Sequence, residues 1–281
     1  MRNDFINRIR ENKTNKVFRN IGTLVKKTYM YLIIAFSITY FFWGFDAVLS
    51  LMGLYEHPSY NIGIVFYILA ACSPAIAAYI VLQRETDKRG LHYFLRSAVR
   101  FDQPLIELLL IVFFLSIRFG VPFLFGEGRI TGNWWQVILF IPIMFLFGGL
   151  EEIGWRGYLQ PILDNRFGPV IATLINCAIW IVWHLPLCFI KGTYQYSGSY
   201  LWFVVSLIGS AFSLAAIFKV HGSIMPCILF HAAGNAIVSY GISGSEGIGM
   251  AVSTCIQVLV SIGVFIVYRK NKASLFMTDR T

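Results

Sequence analysis

Charge is what this chain has least of. Only 13% of its 281 residues are Asp, Glu, Lys or Arg, and 57% are hydrophobic. A soluble domain carries about 25% charged residues, so a soluble globular protein is excluded and a polytopic membrane protein is expected. Its fold should be all-α, because a spanning segment must satisfy its own backbone. Cys-x-x-Cys is missing as well. Cys72, Cys177, Cys188, Cys227 and Cys255 are odd in number and sit in or near apolar segments, which argues against a disulfide frame or a thiolate metal site. There is no His-Glu-x-x-His, hence no zinc-protease helix signature. The basic start is not followed by the apolar stretch and cleavage site of a signal peptide. No internal repeat or soluble domain stands out. The glycine-rich stretch from Gly241 to Gly247 is too irregular to cradle phosphate and reads as a flexible connector.

The charges that are present sit in loops and tails. A net charge of +9 could suggest nucleic acid in a soluble protein. Here it follows the positive-inside rule, so the expected partners are membrane lipids and no nucleic acid. Residues 1–28 form a basic cytosolic segment with Arg2, Arg8, Arg10, Lys13, Lys16, Arg19, Lys26 and Lys27 against Asp4 and Glu11. Val17, Phe18, Ile21, Leu24 and Val25 fall there at helical spacing. That suggests an interfacial amphipathic helix on anionic lipid, with a plain topogenic tail as the alternative.

Residues 29–281 divide into about eight apolar segments, each near the ~20 residues a helix needs to cross hydrocarbon. Their expected limits are Tyr29 to Leu54, Tyr60 to Leu82, Pro104 to Phe125, Trp134 to Pro161, Phe167 to Ile190, Tyr200 to Phe218, Ser223 to Tyr240 and Ile248 to Tyr268. An even count puts three basic regions on one side: the N-terminal tail, the stretch with Arg84, Lys88, Arg89, Arg96 and Arg100, and the C-terminus with Arg269, Lys270, Lys272 and Arg280. Both termini are therefore expected in the cytoplasm, and the membrane would be the plasma membrane in a bacterium. The opposite loops carry Glu56, His57, Glu127, Arg129, Lys191 and Glu246.

Against this background Glu151, Glu152 and Arg156 are conspicuous, because they follow an uncharged run from Trp134 to Leu150. Each charge near a helix centre costs about 2.5–3.5 kcal/mol on insertion scales, and such groups mark chemistry or transport. Glu152 and Arg156 are i,i+4 and can pair. Glu151 points about 100° away around the helix and is left free to work. Gly148, Gly149, Gly154 and Gly157 thin this helix for close packing. His184 is the titratable side chain of the fifth segment, two residues before Pro186, where a kink is expected. In the seventh segment His231 and Asn235 are i,i+4, separated by Ala232, Ala233 and Gly234. A carboxylate and a histidine can activate water, and a second histidine with a carboxamide can stabilise an oxyanion. Each pair alone could equally be an interhelical polar contact. Together they are the parts of an amide-hydrolysing site without a serine or cysteine nucleophile.

The set resembles the CAAX-processing and bacteriocin-processing protease family (CPBP, or Abi), which includes type II CAAX prenyl endopeptidases. That family shows Glu-Glu-x-x-x-Arg, Phe-x-x-x-His and His-x-x-x-Asn or Asp on separate transmembrane helices. Here they correspond to Glu151 to Arg156, Trp180 to His184 and His231 to Asn235, with Trp180 in place of the usual Phe. The resemblance spans roughly Leu146 to Asn235. It implies a membrane-embedded site open to the cytosol, in which Glu151 and His184 activate water, His231 and Asn235 bind the oxyanion, and Glu152 and Arg156 hold the geometry. It also implies a hydrophobic or lipidated peptide or protein as substrate. Members are described as metalloproteases or as metal-free enzymes. If zinc were used, Glu151, His184 and His231 would supply the three ligands, but Asn235 suits an oxyanion role better, and no cofactor is favoured. Two other readings compete with a protease. One is a proton-coupled transporter, disfavoured by the lack of repeats and of paired broken helices. The other is a non-catalytic immunity or scaffold protein.

Overall fold

The computed structural model describes residues 2–58, 62–85, 104–243 and 246–269, with single residues 92, 94, 96 and 98; side chains of 2–25 and of Ser243 fall outside the described residues. The helices are α1 (Arg2–Leu51), α2 (Ile62–Ala71), α3 (Ser73–Glu85), α4 (Leu105–Leu124), α5 (Trp134–Met144), α6 (Glu151–Gly154), α7 (Gln160–Phe167), α8 (Pro169–Trp183), α9 (Tyr194–Ser197), α10 (Tyr200–His221), α11 (Met225–Tyr240) and α12 (Ile248–Val267). One small ladder accompanies them, β1 (Arg129–Ile130) antiparallel to β2 (Ile242–Ser243). The chain is an all-α polytopic membrane protein. α1 is continuous through residue 28, while the amphipathic faces expected before Lys26 lie outside the described residues, as do most of the basic residues between α3 and α4 and after Arg269.

Among the described residues, five helices are long and apolar enough to cross a membrane, and two bent pairs raise the number to seven. α11, with 16 residues, is shorter than the rest. The segments expected over Tyr60 to Leu82 and Trp134 to Pro161 are broken: α2 meets α3 at 54°, and the helix from Trp134 to Gly149 meets that from Glu151 to Phe167 at 47°. Paired broken helices are therefore present, and the sequence argument from their absence does not stand. Pro186 also acts differently from expectation. α8 ends at Trp183 and Leu185–Phe189 form a 3-10 turn, so this proline starts a turn where a kinked helix was expected, as its missing N–H allows.

Breaking a helix in hydrocarbon frees backbone carbonyls, which is tolerated only where protein or a cavity receives them. The first break is met by Thr39 of α1, whose hydroxyl lies 3.4 Å from the Ala70 carbonyl and 2.5 Å from Ser73 Oγ. The second consists of two π-helical turns, Phe145–Gly149 and Trp155–Leu159. Asn235 donates to the Phe147 carbonyl at 2.9 Å and Asn176 to the Trp155 carbonyl at 3.2 Å. Gly148 has φ +139°, a conformation L side chains rarely adopt, and a Cβ there would run into Asn235 and His231.

Helix packing follows membrane rules, with small residues at the contacts. Ala70, Ala71, Ala77 and Ala78 are buried, and Gly154 packs directly on the Pro74 carbonyl. Large apolar side chains such as Phe41, Leu139, Leu201 and Leu259 point outward, as suits a lipid solvent. The chain ends at two faces. At one, Arg84 approaches Met30 at 3.8 Å, and Gly168 and Gly222, both with positive φ, turn α7 into α8 and α10 into α11. At the other, the loops are tied together. His57 N–H donates to the Lys191 carbonyl at 2.8 Å, Ser199 N–H to Glu246 at 2.9 Å, and Glu127 accepts from Gly249 N–H at 2.9 Å at the start of α12. The membrane segment of α1 begins, and α12 ends, at the first face. Ile242, through β2, and Glu246, through Ser199, belong to this tied face.

Gly154→Ala should lower the melting midpoint of the detergent-solubilised protein and broaden its size-exclusion peak, since overpacking costs about 1–3 kcal/mol. Gly263→Ala, where nothing lies within 4 Å of the added Cβ, should be neutral or slightly stabilising. Equal midpoints for the two variants would contradict the packing described.

Candidate active site

The broken helix delivers the acidic pair. Glu152 and Arg156, 0% and 1% exposed at their side chains, form an ion pair at 2.9 Å. The same carboxylate accepts from His231 Nδ1 on α11 at 2.7 Å. Glu152 thus bridges two elements, taking a guanidinium with one side and an imidazole with the other. Breaking such a pair leaves an unmatched buried charge.

Trp180 is the second hub. Its indole N–H donates to Glu151 Oε2 at 3.0 Å, and its ring face lies 4.7 Å from the Arg156 guanidinium. Its carbonyl lies 2.9 Å from His184 Nδ1, one turn along. A carbonyl only accepts, so Nδ1 carries the proton and Nε2 keeps its lone pair. The same logic applies to His231, whose Nδ1 faces a carboxylate and therefore donates. The exchange of Phe for Trp is thus more than aromatic for aromatic: only the indole can hold the Glu151 carboxylate. Sequence spacing gives no hint of this, because the contact runs between helices.

Glu151, His184, His231 and Asn235 line one cavity of about 90 Å³. The π turn Phe145–Gly149 just before Glu151 and the 3-10 turn that ends α8 at His184 lie beside this cavity. Asn235 uses one amide hydrogen on Phe147 and keeps a second. The cavity adjoins a larger one of about 260 Å³, lined by His57, Thr193, Tyr194, Val238, Ile242 and Met250. Tyr67, Arg118, Phe147, Phe203 and Asn235 line both. Arg118 was not singled out from sequence, although a charge inside the segment from Pro104 to Phe125 was a visible signal. It donates to Ser210 Oγ at 2.7 Å and stacks on Phe119. The outer cavity lies among the loops at the face where α1 ends and α12 begins.

Metal ligation was the alternative use for Glu151, His184 and His231. Among the described residues, no three His, Cys, Asp or Glu side chains are placed to hold one ion. His184 and His231 each have Nδ1 engaged, by the Trp180 carbonyl and by Glu152, which leaves Nε2 of both rings free.

The type II CAAX prenyl endopeptidase Rce1-like family matches residues 133–237, the stretch that holds the four cavity residues and the Glu152–Arg156 pair. The chain is also 26% identical over 223 residues to the CAAX prenyl protease 2 of Methanococcus maripaludis, across 72% of this chain and 80% of that relative.

Glu152→Gln should destabilise the protein by about 3–5 kcal/mol by stranding Arg156, read as a lower melting midpoint in detergent. Glu152→Gln with Arg156→Met should recover part of that loss. An unchanged midpoint in the single variant would show that the bridge does not hold the site.

Proposed function

We propose, from the match of residues 133–237 to the type II CAAX prenyl endopeptidase Rce1-like family and the likeness to a CAAX prenyl protease 2, that the chain is a membrane-embedded endopeptidase of the CAAX protease (CPBP) family in which Glu151 and His184 activate the hydrolytic water. The observation that carries this is the convergence of Glu151, His184, His231 and Asn235, from three separate elements, on one small cavity inside an apolar bundle. Water placed between Glu151 and His184 Nε2 loses a proton to the Glu151 carboxylate as its oxygen attacks the scissile carbonyl carbon. The Trp180 indole keeps that carboxylate turned toward the cavity. The oxyanion receives the second Asn235 N–H and the His231 Nε2 hydrogen, which requires His231 to hold two protons in that step. The C–N bond then breaks, and the proton on Glu151 passes to the leaving nitrogen, giving a carboxylate and an amine. Glu152 and Arg156 position His231 without touching substrate. No metal takes part in this scheme.

The substrate is a hydrophobic or lipidated peptide or protein segment, entering through the larger, aromatic-lined outer cavity. An apolar chain loses little by leaving the bilayer for such a surface.

Purified protein in detergent, offered a library of hydrophobic and lipidated peptides, should cleave a subset. Glu151→Gln and His184→Ala should each reduce the rate at least about 100-fold with unchanged melting midpoints. Trp180→Phe should lower kcat about tenfold, the effect of losing one hydrogen bond to a charged group. Cleavage that survives both of the first two variants would end the assignment. A chelator should leave the rate unchanged, and stoichiometric zinc whose removal abolishes cleavage would overturn the metal-free scheme.

A further inference from the structure

The opening of the cavity and the distribution of charge together fix the side from which substrate arrives. Among the described Lys and Arg residues, Arg129 and Lys191 alone lie on the loops around the outer cavity. Arg118 and Arg156 are inside the bundle. Lys26, Lys27, Arg84, Arg166, Lys219 and Arg269 lie at the opposite face, where the membrane segment of α1 begins and α12 ends, and the basic stretches 2–19, 88–100 and 270–280 adjoin those same ends in sequence. The mouth face carries Glu56, Glu127 and Glu246, and Lys191 there is paired with Glu56 at 3.0 Å. Burial pushes the His57 imidazole down to about 4, so it adds no charge at neutral pH. One face is strongly basic and the other slightly acidic.

Basic segments flanking membrane helices are retained in the cytoplasm. We infer that the active-site cavity of this protein opens at the non-cytoplasmic face, and that its substrate is a hydrophobic peptide segment presented from that side. The inference rests on the proposed proteolytic function. It excludes as substrate a prenylated tail that stays on the cytoplasmic leaflet. The acids of the mouth face support the same orientation by being structural. Glu127 caps the start of α12 and Glu246 binds Ser199 N–H ahead of α10, so the rim is ordered by carboxylates that favour helix N-termini and needs no basic residue from the cytoplasmic set.

Topology is read without reference to activity. In a variant with the five native cysteines replaced, Thr131→Cys at the mouth face and His221→Cys at the opposite face would be exposed in intact cells to a membrane-impermeant maleimide. Thr131→Cys should label fully in intact cells. His221→Cys should label only after permeabilisation, a manyfold increase. The reverse pattern, or equal labelling of both in intact cells, would overturn the inference. As a second measurement on the native-cysteine protein, alkaline phosphatase fused after Thr281 should be inactive and a fluorescent protein at the same place bright; active phosphatase would overturn it too. Peptide cleavage in detergent, where both faces are open, stands or falls separately.

Discussion

The Glu152 carboxylate is the constraint on which the site depends. It sits fully buried between a guanidinium one turn away and an imidazole on another helix, and it matches both. Without it Arg156 would be a bare cation in the bilayer interior, and His231 would lose the partner that sets its tautomer. Arg156 in turn lies over Trp180, and Trp180 holds Glu151. A single ion pair is thereby linked to His231 directly and to Glu151 and His184 through Trp180. Such a chain is sensitive to loss of any one partner, because each buried polar group is left unmatched when its partner goes.

The second requirement is geometric. Straight helices would hold Glu151, His184 and Asn235 at different depths. The fold meets this by interrupting two helices with π turns and a 3-10 turn, and by receiving the freed carbonyls on Asn235 and Asn176. The interruptions lie beside the chemistry because a cavity and two polar neighbours are what make them tolerable in hydrocarbon.

Much of this was legible in the sequence and some was not. Low charge and apolar runs give an all-α membrane protein, and the Glu152–Arg156 spacing gives a pair within one helix. Glu151, His184, His231 and Asn235 stood out because ionisable or amide groups are costly in such surroundings. Three things did not follow. The helix breaks were hidden, since Phe145 to Leu159 reads as continuous helix with glycines, and the positive φ of Gly148 is a backbone fact. The role of Trp180 depends on a contact between α6 and α8. The side on which the cavity opens depends on how loops far apart in sequence meet, as β1 and β2 do.

Asn235 carries a consequence for how relatives are read. The family motif accepts Asn or Asp at this place, as though the two were interchangeable. Here the side-chain amide faces the Phe147 carbonyl, and a carboxylate would set acceptor against acceptor. The choice of residue is therefore tied to the backbone of a different helix: a chain with Asp at this position must either carry a proton there or turn its interrupted helix so that no carbonyl points across. Substitutions at the two places are expected to travel together through descent, although some 90 residues separate them.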